Sequence, residues 1–242
     1  MIEPLTSDHL ATADFLSGAL ILVDKPDGWT SFDVVNKIRG TLRHLYQVKK
    51  IKVGHAGTLD PIATGLLLIC TGKYTTELSQ LQGLNKEYTG EMTLGAVTAS
   101  YDRETEPENM RSYDHINTDK LNAAASRFVG SIDQVPPMFS AIKKDGQPLY
   151  KAARKGEEVH REPREIVIEE FEITRVDLPQ VTFRVTCSKG TYIRSLVHDL
   201  GQALDCGAYL TALRRTRIGE DYSIENAWDL EMLIAAIRLR SE

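Results

Sequence analysis

Val53-Gly-His-Ala-Gly-Thr-Leu-Asp-Pro-Ile-Ala-Thr-Gly-Leu66 sets one carboxylate, Asp60, in a turn rich in glycine and proline, five residues after His55. Pro61 removes a backbone donor and pushes Asp60 towards an extended conformation. Gly54, Gly57 and Gly65 let the backbone bend sharply or approach a ligand closely. The apolar run from Leu66 to Cys70 reads as a buried strand that would hold this turn rigidly. A loop carboxylate on a rigid support is where function concentrates. Asp-Pro alone, however, is a common turn starter.

Working outwards, Gly18 to Asp24 reads as a second buried strand, closed by the turn Lys25-Pro-Asp-Gly28. Thr30 and Ser31 offer an N-cap, with Asp33 placed for a capping box. Val34, Val35, Ile38, Leu42 and Leu45 then follow at helical spacing, with the basic residues on the opposite face. A short helix is expected over Thr75 to Leu84, and an alternating strand from Lys86 to Gly95 that puts Tyr88, Met92 and Leu94 on one side. Ala96 to Asn117 reads as a polar acidic loop, followed by a helix capped by Thr118. Leu149 to Lys155 suggests a short helix, Glu165 to Thr174 and Gln180 to Cys187 two strands, and Tyr192 to Leu204 and Leu230 to Arg240 two further helices. Strands and helices alternate without a repeating βα unit, which points to an α+β or mixed-sheet domain.

The 242 residues, 42% hydrophobic and 26% charged, suit a globular protein with a sizeable core. Three well-separated cysteines, Cys70, Cys187 and Cys206, lack metal-ligand spacing and fit a reducing compartment. The first residues lack a signal peptide's basic and apolar regions, and no apolar stretch is long enough to span a membrane. A cytoplasmic protein is expected. The net charge of −5 argues mildly against a nucleic-acid partner, but its distribution does not. Between Asp33 and Asp60 there is no acidic residue, while Lys37, Arg39, Arg43, Lys49, Lys50 and Lys52 all occur there. Further basic clusters run through Lys143 to Arg164 and through Lys189, Arg194, Arg214, Arg215 and Arg217, and the acids gather from Asp102 to Asp119. Such asymmetry can steer a polyanion to one face, although any single cluster is ordinarily a solvated surface.

Several cofactor motifs fail. Gly72-Lys73 lacks the earlier glycine of a phosphate-binding loop, whose place is taken by Leu67, and Tyr74 follows where Ser or Thr is needed. There is no Gly-x-Gly-x-x-Gly after a strand and no Gly-x-Ser-x-Gly elbow. His44 and His55 lack companion carboxylates for a metal. An enzyme built on this chain would work through a carboxylate, without metal or nucleotide. A nucleophilic carboxylate needs a cationic neighbour. Arg194, at the start of a helix where the dipole disfavours a cation, is placed as if it had an acidic partner.

The chain resembles the tRNA pseudouridine synthase B family, which isomerises uridine 55 in the T loop of tRNA. The matching blocks are Leu20-Ile-Leu-Val-Asp-Lys-Pro26 with Thr30-Ser31, Val53 to Pro61, Lys86-Glu-Tyr88, Pro136 to Lys143 with Tyr150 to Arg154, and Cys187 to Arg194 with Asp199-Leu-Gly201 and Leu213-Arg-Arg215. The resemblance implies that Asp60 is the nucleophile, that Tyr88 stacks on the target base and takes part in deprotonating C5, and that Arg194 pairs with the aspartate. It places His55, Tyr192, Leu213 and Lys86 around the flipped nucleotide. It also implies a mixed, mostly antiparallel central sheet flanked by helices, with a basic RNA-binding cleft. One catalytic domain over 1–242 is expected, with an RNA-gripping insertion at 136–164 and a C-terminal helical segment at 220–242. A C-terminal PUA domain is expected to be missing, and with it some of the salt dependence of tRNA binding. No cofactor or metal, no membrane and no obligatory protein partner are implied, and a monomer acting on the tRNA T stem-loop is expected. Two other readings share some of these features: a guide-RNA-dependent synthase subunit, and a tRNA-folding chaperone.

Overall fold

The computed structural model describes residues 2–144 and 146–240. In chain order it begins with α1 (Ser7–Leu10), β1 (Leu20–Lys25), α2 (Ser31–Leu45), β2 (Val53–Ala56), β3 (Ala63–Thr71), α3 (Leu78–Gly83) and β4 (Lys86–Leu94). Next come α4 (Thr118–Ser126), β5 (Gly130–Gln134), β6 (Lys143–Lys144), β7 (Gln147–Pro148), α5 (Leu149–Ala153), β8 (Arg164–Asp177) and β9 (Gln180–Cys187). The chain closes with α6 (Ile193–Ala203), β10 (Ala208–Ile218), β11 (Tyr222–Ser223), β12 (Trp228–Asp229) and α7 (Leu230–Leu239). The backbone separates into two compact units, Met1–Tyr88 with Arg214–Glu242, and Thr89–Leu213. Strands β4 and β10 each contribute residues to both.

In the first unit the strand order is β12-β1-β3-β10-β4, with β2 also on β3 and β11 on β10. The β1–β12 pair is parallel, whereas β1 and β2 both run antiparallel to β3. Strand β3 carries the unbroken apolar run Leu66–Cys70 because both of its faces are covered there. Leu67 and Ile69 join Ile21, Val23, Val35, Ile38 and Ile234 in the cluster under α2 and α7. Leu66, Leu68 and Cys70 join Leu20, Leu81, Ile218 and Tyr222 on the other side. Helix α2 opens with the expected capping box: the Thr30 hydroxyl accepts from Asp33 N, and the Thr30 backbone N donates to the Asp33 carboxylate.

In the second unit the order is β10-β4-β9-β8-β5. Here β8 is antiparallel to both β9 and β5. Strand β9 buries every second residue, Val181, Phe183, Val185 and Cys187, as a sheet with one covered face requires. The cap of α4 is Asn117 rather than Thr118, since its side chain accepts from Lys120 N at 2.9 Å and Thr118 is already the first helical residue. All three cysteines are free and buried. Burial pushes the Cys70 thiol up to about 12 and raises that of Cys206 as well.

Candidate active site

The turn that presents Asp60 is fixed residue by residue. Leu59 N donates to the Ser31 hydroxyl at 2.8 Å, and that hydroxyl donates back to the Leu59 carbonyl at 3.2 Å. The Pro61 carbonyl accepts from Gly28 N at 2.9 Å and from Lys25 Nζ at 3.3 Å. The Gly57 carbonyl accepts from Arg215 Nη2 at 3.1 Å. Half-buried Asp60 therefore sits between two anchored neighbours, and its own carbonyl accepts from Ala63 N at 3.0 Å.

Two buried cations hold this turn from beneath. Lys25 is fully buried, and its ammonium also donates to Trp29 O at 2.5 Å and Pro26 O at 2.9 Å. Burial lowers its pKa to about 8, against the opposing pull of Asp27 and Asp60. Arg215 is 1% exposed and donates through Nε to Leu66 O at 2.7 Å. Its guanidinium lies 6.0 Å from the centre of the Tyr88 ring. Gly65, at φ +100°, allows the close approach, because a Cβ there would fall 2.3 Å from the Arg215 carbonyl.

Within this unit the structure gathers Tyr88, His55 and Lys86 around the Asp60 turn. Tyr88 is buried, on the stretch of β4 beside Arg215. Burial, and then the Arg215 charge, lower the His55 pKa, against a hydrogen bond with the Gly57 backbone that raises it, and so favour the neutral imidazole. Its Nδ1 is buried with no hydrogen-bond partner among the described residues. Lys86 is buried, and its ammonium donates to Gln82 O at 2.6 Å and to Leu84 O, which ties down the end of α3.

Arg194, Tyr192 and Leu213 belong to the second unit. Arg194 lies in the first turn of α6 and is 3% exposed. Its Nη1 and Nη2 donate to Ser100 O at 3.0 Å and Phe139 O at 2.9 Å, and its Nε is 3.5 Å from Asp102 Oδ2. Asp102 is itself 1% exposed, its Oδ1 accepting from the Ser100 hydroxyl at 2.6 Å and Glu104 N at 2.9 Å. Tyr101, in the left-handed conformation (φ 64°), stacks on His198 with ring centroids 3.8 Å apart and so fixes the loop that delivers Asp102. The Gln134 amide brackets Tyr192, accepting from its N at 2.8 Å and donating to its O at 3.1 Å. Leu213 is buried near the end of this unit's part of β10.

Sequence reasoning missed three contributors. Lys25 and Arg215 were legible only as members of motif blocks, and Asp102 only as one acid of a polar loop. The expected third basic cluster is corrected: Arg194 and Arg215 are buried, and Arg214 forms a bidentate pair with Asp24 at 3.1 and 2.6 Å. The Arg194 and Arg215 guanidiniums are consumed internally, and that of Arg214 is paired at the surface, because planar forks satisfy several carbonyl or carboxylate oxygens at once. Among the described residues no group of three or more His, Cys, Asp or Glu could hold a metal ion.

Known proteins resemble this chain along its length. Residues 43–193 match the model described as TruB family pseudouridylate synthase (N terminal domain), and residues 194–242 the tRNA pseudouridylate synthase B C-terminal domain. A Flavobacterium johnsoniae protein named tRNA pseudouridine synthase B is 54% identical over 90% of this chain and 96% of its own length. A Phocaeicola vulgatus protein of the same name is 48% identical over 90% and 92%. Among solved structures, a chain of a Cbf5–Nop10–Gar1 complex matches with TM-score 0.69 at 28% identity, covering 96% of this chain. A chain of an archaeal box H/ACA Nop10–Cbf5 complex matches with TM-score 0.67 at 27% identity, covering all of it. Those two solved chains are longer, and this one spans 61% and 62% of them.

Proposed function

Because this chain belongs to the TruB family of pseudouridylate synthases, we propose that it converts uridine 55 of the tRNA T loop to pseudouridine, with Asp60 as nucleophile. Isomerisation breaks N1–C1′ and joins C1′ to C5; the C5 proton leaves, N1 gains one, and no electrons are exchanged. The reaction asks of the protein a positioned carboxylate, a surface for the extruded base and a group near C5. The anchoring of the Asp60 turn by Ser31, Gly28, Lys25 and Arg215 carries this reading. A carboxylate held between fixed neighbours spends no entropy on positioning when substrate arrives.

Tyr88 supplies the aromatic face. Extruding a base costs a few kcal/mol, of which stacking on a tyrosine returns a part. His55, on the strand that leads into the Asp60 turn, lines the flipped nucleotide. Arg194, held by Asp102 and two carbonyls, is the cation assigned to the aspartate, with Tyr192 and Leu213 lining the nucleotide and Lys86 bracing the end of α3. Residues 136–164, of which 145 lies outside the described set, grip the RNA, and residues 220–242 complete the catalytic domain. The enzyme works as a cytoplasmic monomer without protein partners; among the described residues no helix is long and apolar enough to cross a membrane.

The test is pseudouridine formation on a bare T-arm transcript by the wild-type chain and by Asp60→Ala. Wild type is expected to modify the RNA unaided and the variant to be inactive while still binding it. An inactive wild type removes the stand-alone enzyme, in favour of a guide-dependent subunit or a chaperone. An active variant removes Asp60 as nucleophile.

A further inference from the structure

Helix α2 carries an exposed stripe that the Asp60 site does not use. Phe32, Asn36, Arg39 and Arg43 follow one another at intervals of three and four and share one side of the helix, with Gly40 next to Arg39 and three residues before Arg43. The opposite side is core, with Val34, Val35, Ile38 and Leu42 buried. Phe32 is 61% exposed, a large ring left in water on a helix otherwise patterned cleanly into apolar and polar faces. It follows Ser31 in the chain, the residue whose hydroxyl clamps Leu59 of the Asp60 turn.

The stripe is pre-organised. Arg39 donates to Asn36 Oδ1 at 2.7 Å and to Val53 O at 2.8 Å, and its guanidinium lies 6.0 Å from the centre of the Phe32 ring. Gly40 is a poor helix residue that packing does not demand: a Cβ there would meet nothing within 4 Å. Past Arg43 the chain continues with His44, Lys49, Lys50 and Lys52, all of them exposed, before it enters β2. Asp33, the acid beside Phe32 in the chain, is committed to its capping box, and Glu231 of α7 faces Lys37 at 3.8 Å.

We infer that this side of α2 is a docking rail for the substrate RNA: Phe32 stacks on an unpaired base, Gly40 admits the sugar-phosphate backbone, and Arg43 and the lysines beyond it meet phosphates. Charge complementarity selects a polyanion, and the ring selects one with accessible base faces, which single-stranded loops offer and duplexes do not. The inference rests on the RNA-modifying role proposed above and adds a surface that positions the tRNA outside the reacting nucleotide.

Binding of a fluorescently labelled T-arm hairpin, read by anisotropy, tests it independently of catalysis. Phe32→Ala is expected to weaken binding on the order of tenfold, and Phe32→Trp to keep it within about twofold of wild type, as a stacking contact allows. Arg43→Ala should weaken binding and flatten the log–log salt dependence by roughly 0.7–0.9. Gly40→Leu should raise the melting temperature yet weaken binding, which separates docking from folding. Unaltered affinity in Phe32→Ala and Gly40→Leu overturns the proposal, and so does equal weakening by Phe32→Ala and Phe32→Trp. If the wild-type chain binds through this stripe but forms no pseudouridine, the enzymatic reading fails and the rail stands.

Discussion

Arg194 shows how far single residues could be read. Its place at a helix start, against the dipole, implied an acidic partner, which the resemblance makes Asp60; the structure adds an ion pair with Asp102. That partner was hidden, because an aspartate among Glu104, Glu106 and Glu108 reads as solvated surface; only the fold reveals that the loop turns Asp102 inward. Asp199 offers a measurable case of the same burial. Desolvation raises its carboxyl from 3.8 to about 6. Between those values the unfolded chain releases the proton and the folded chain keeps it, so folding loses stability as pH rises. Asp199→Asn has no proton to release. The melting temperature of the variant relative to wild type is therefore expected to climb between pH 4 and pH 7 and then level off. A difference independent of pH would show that Asp199 is not desolvated.

At the scale of elements, the Asp60 turn and the strand after it were legible because their signals are local: glycine, proline and a continuous apolar run; β2 before the turn, only four residues with a glycine and a histidine inside it, was not. The capping box of α2 was equally plain. Strand β10 escaped notice, since Leu213-Arg-Arg-Thr-Arg217 reads as a charged surface. Its buried positions are Ala208, Leu210, Leu213, Arg215 and Ile218, and the Arg215 side chain among them is buried by bonding rather than by apolarity. The β3–β10 contact depends on Gly65. Gly65→Ala would drive a methyl into the Arg215 backbone and force an alanine into φ +100°. A loss of about 1–3 kcal/mol is expected from overpacking, with backbone strain added, measured by urea unfolding. Turnover should fall even where the variant stays folded, because the guanidinium that holds Gly57 moves with the strand. Stability within about 0.5 kcal/mol of wild type, the usual scatter for harmless surface changes, would mean that the strands can part without harm.

Over the whole molecule, composition foretold the ordinary things, a sizeable core and reduced cysteines, and the resemblance foretold the α+β sheet. It could not foretell which charges face solvent, since that depends on long-range partners such as Asp24 with Arg214. The cysteines make the final point. Cys70, Cys187 and Cys206 are at most 1% exposed, and burial lifts the Cys70 and Cys206 thiols away from the reactive thiolate. A thiol reagent is expected to find almost no reactive group in the native protein and all three cysteines once it is unfolded in guanidinium; prompt labelling of the native form would contradict this. Such silence keeps the thiols out of reach of mild peroxide, and leaves the protein a blank background on which one introduced cysteine, along α2 for example, would carry a dye or crosslinker alone.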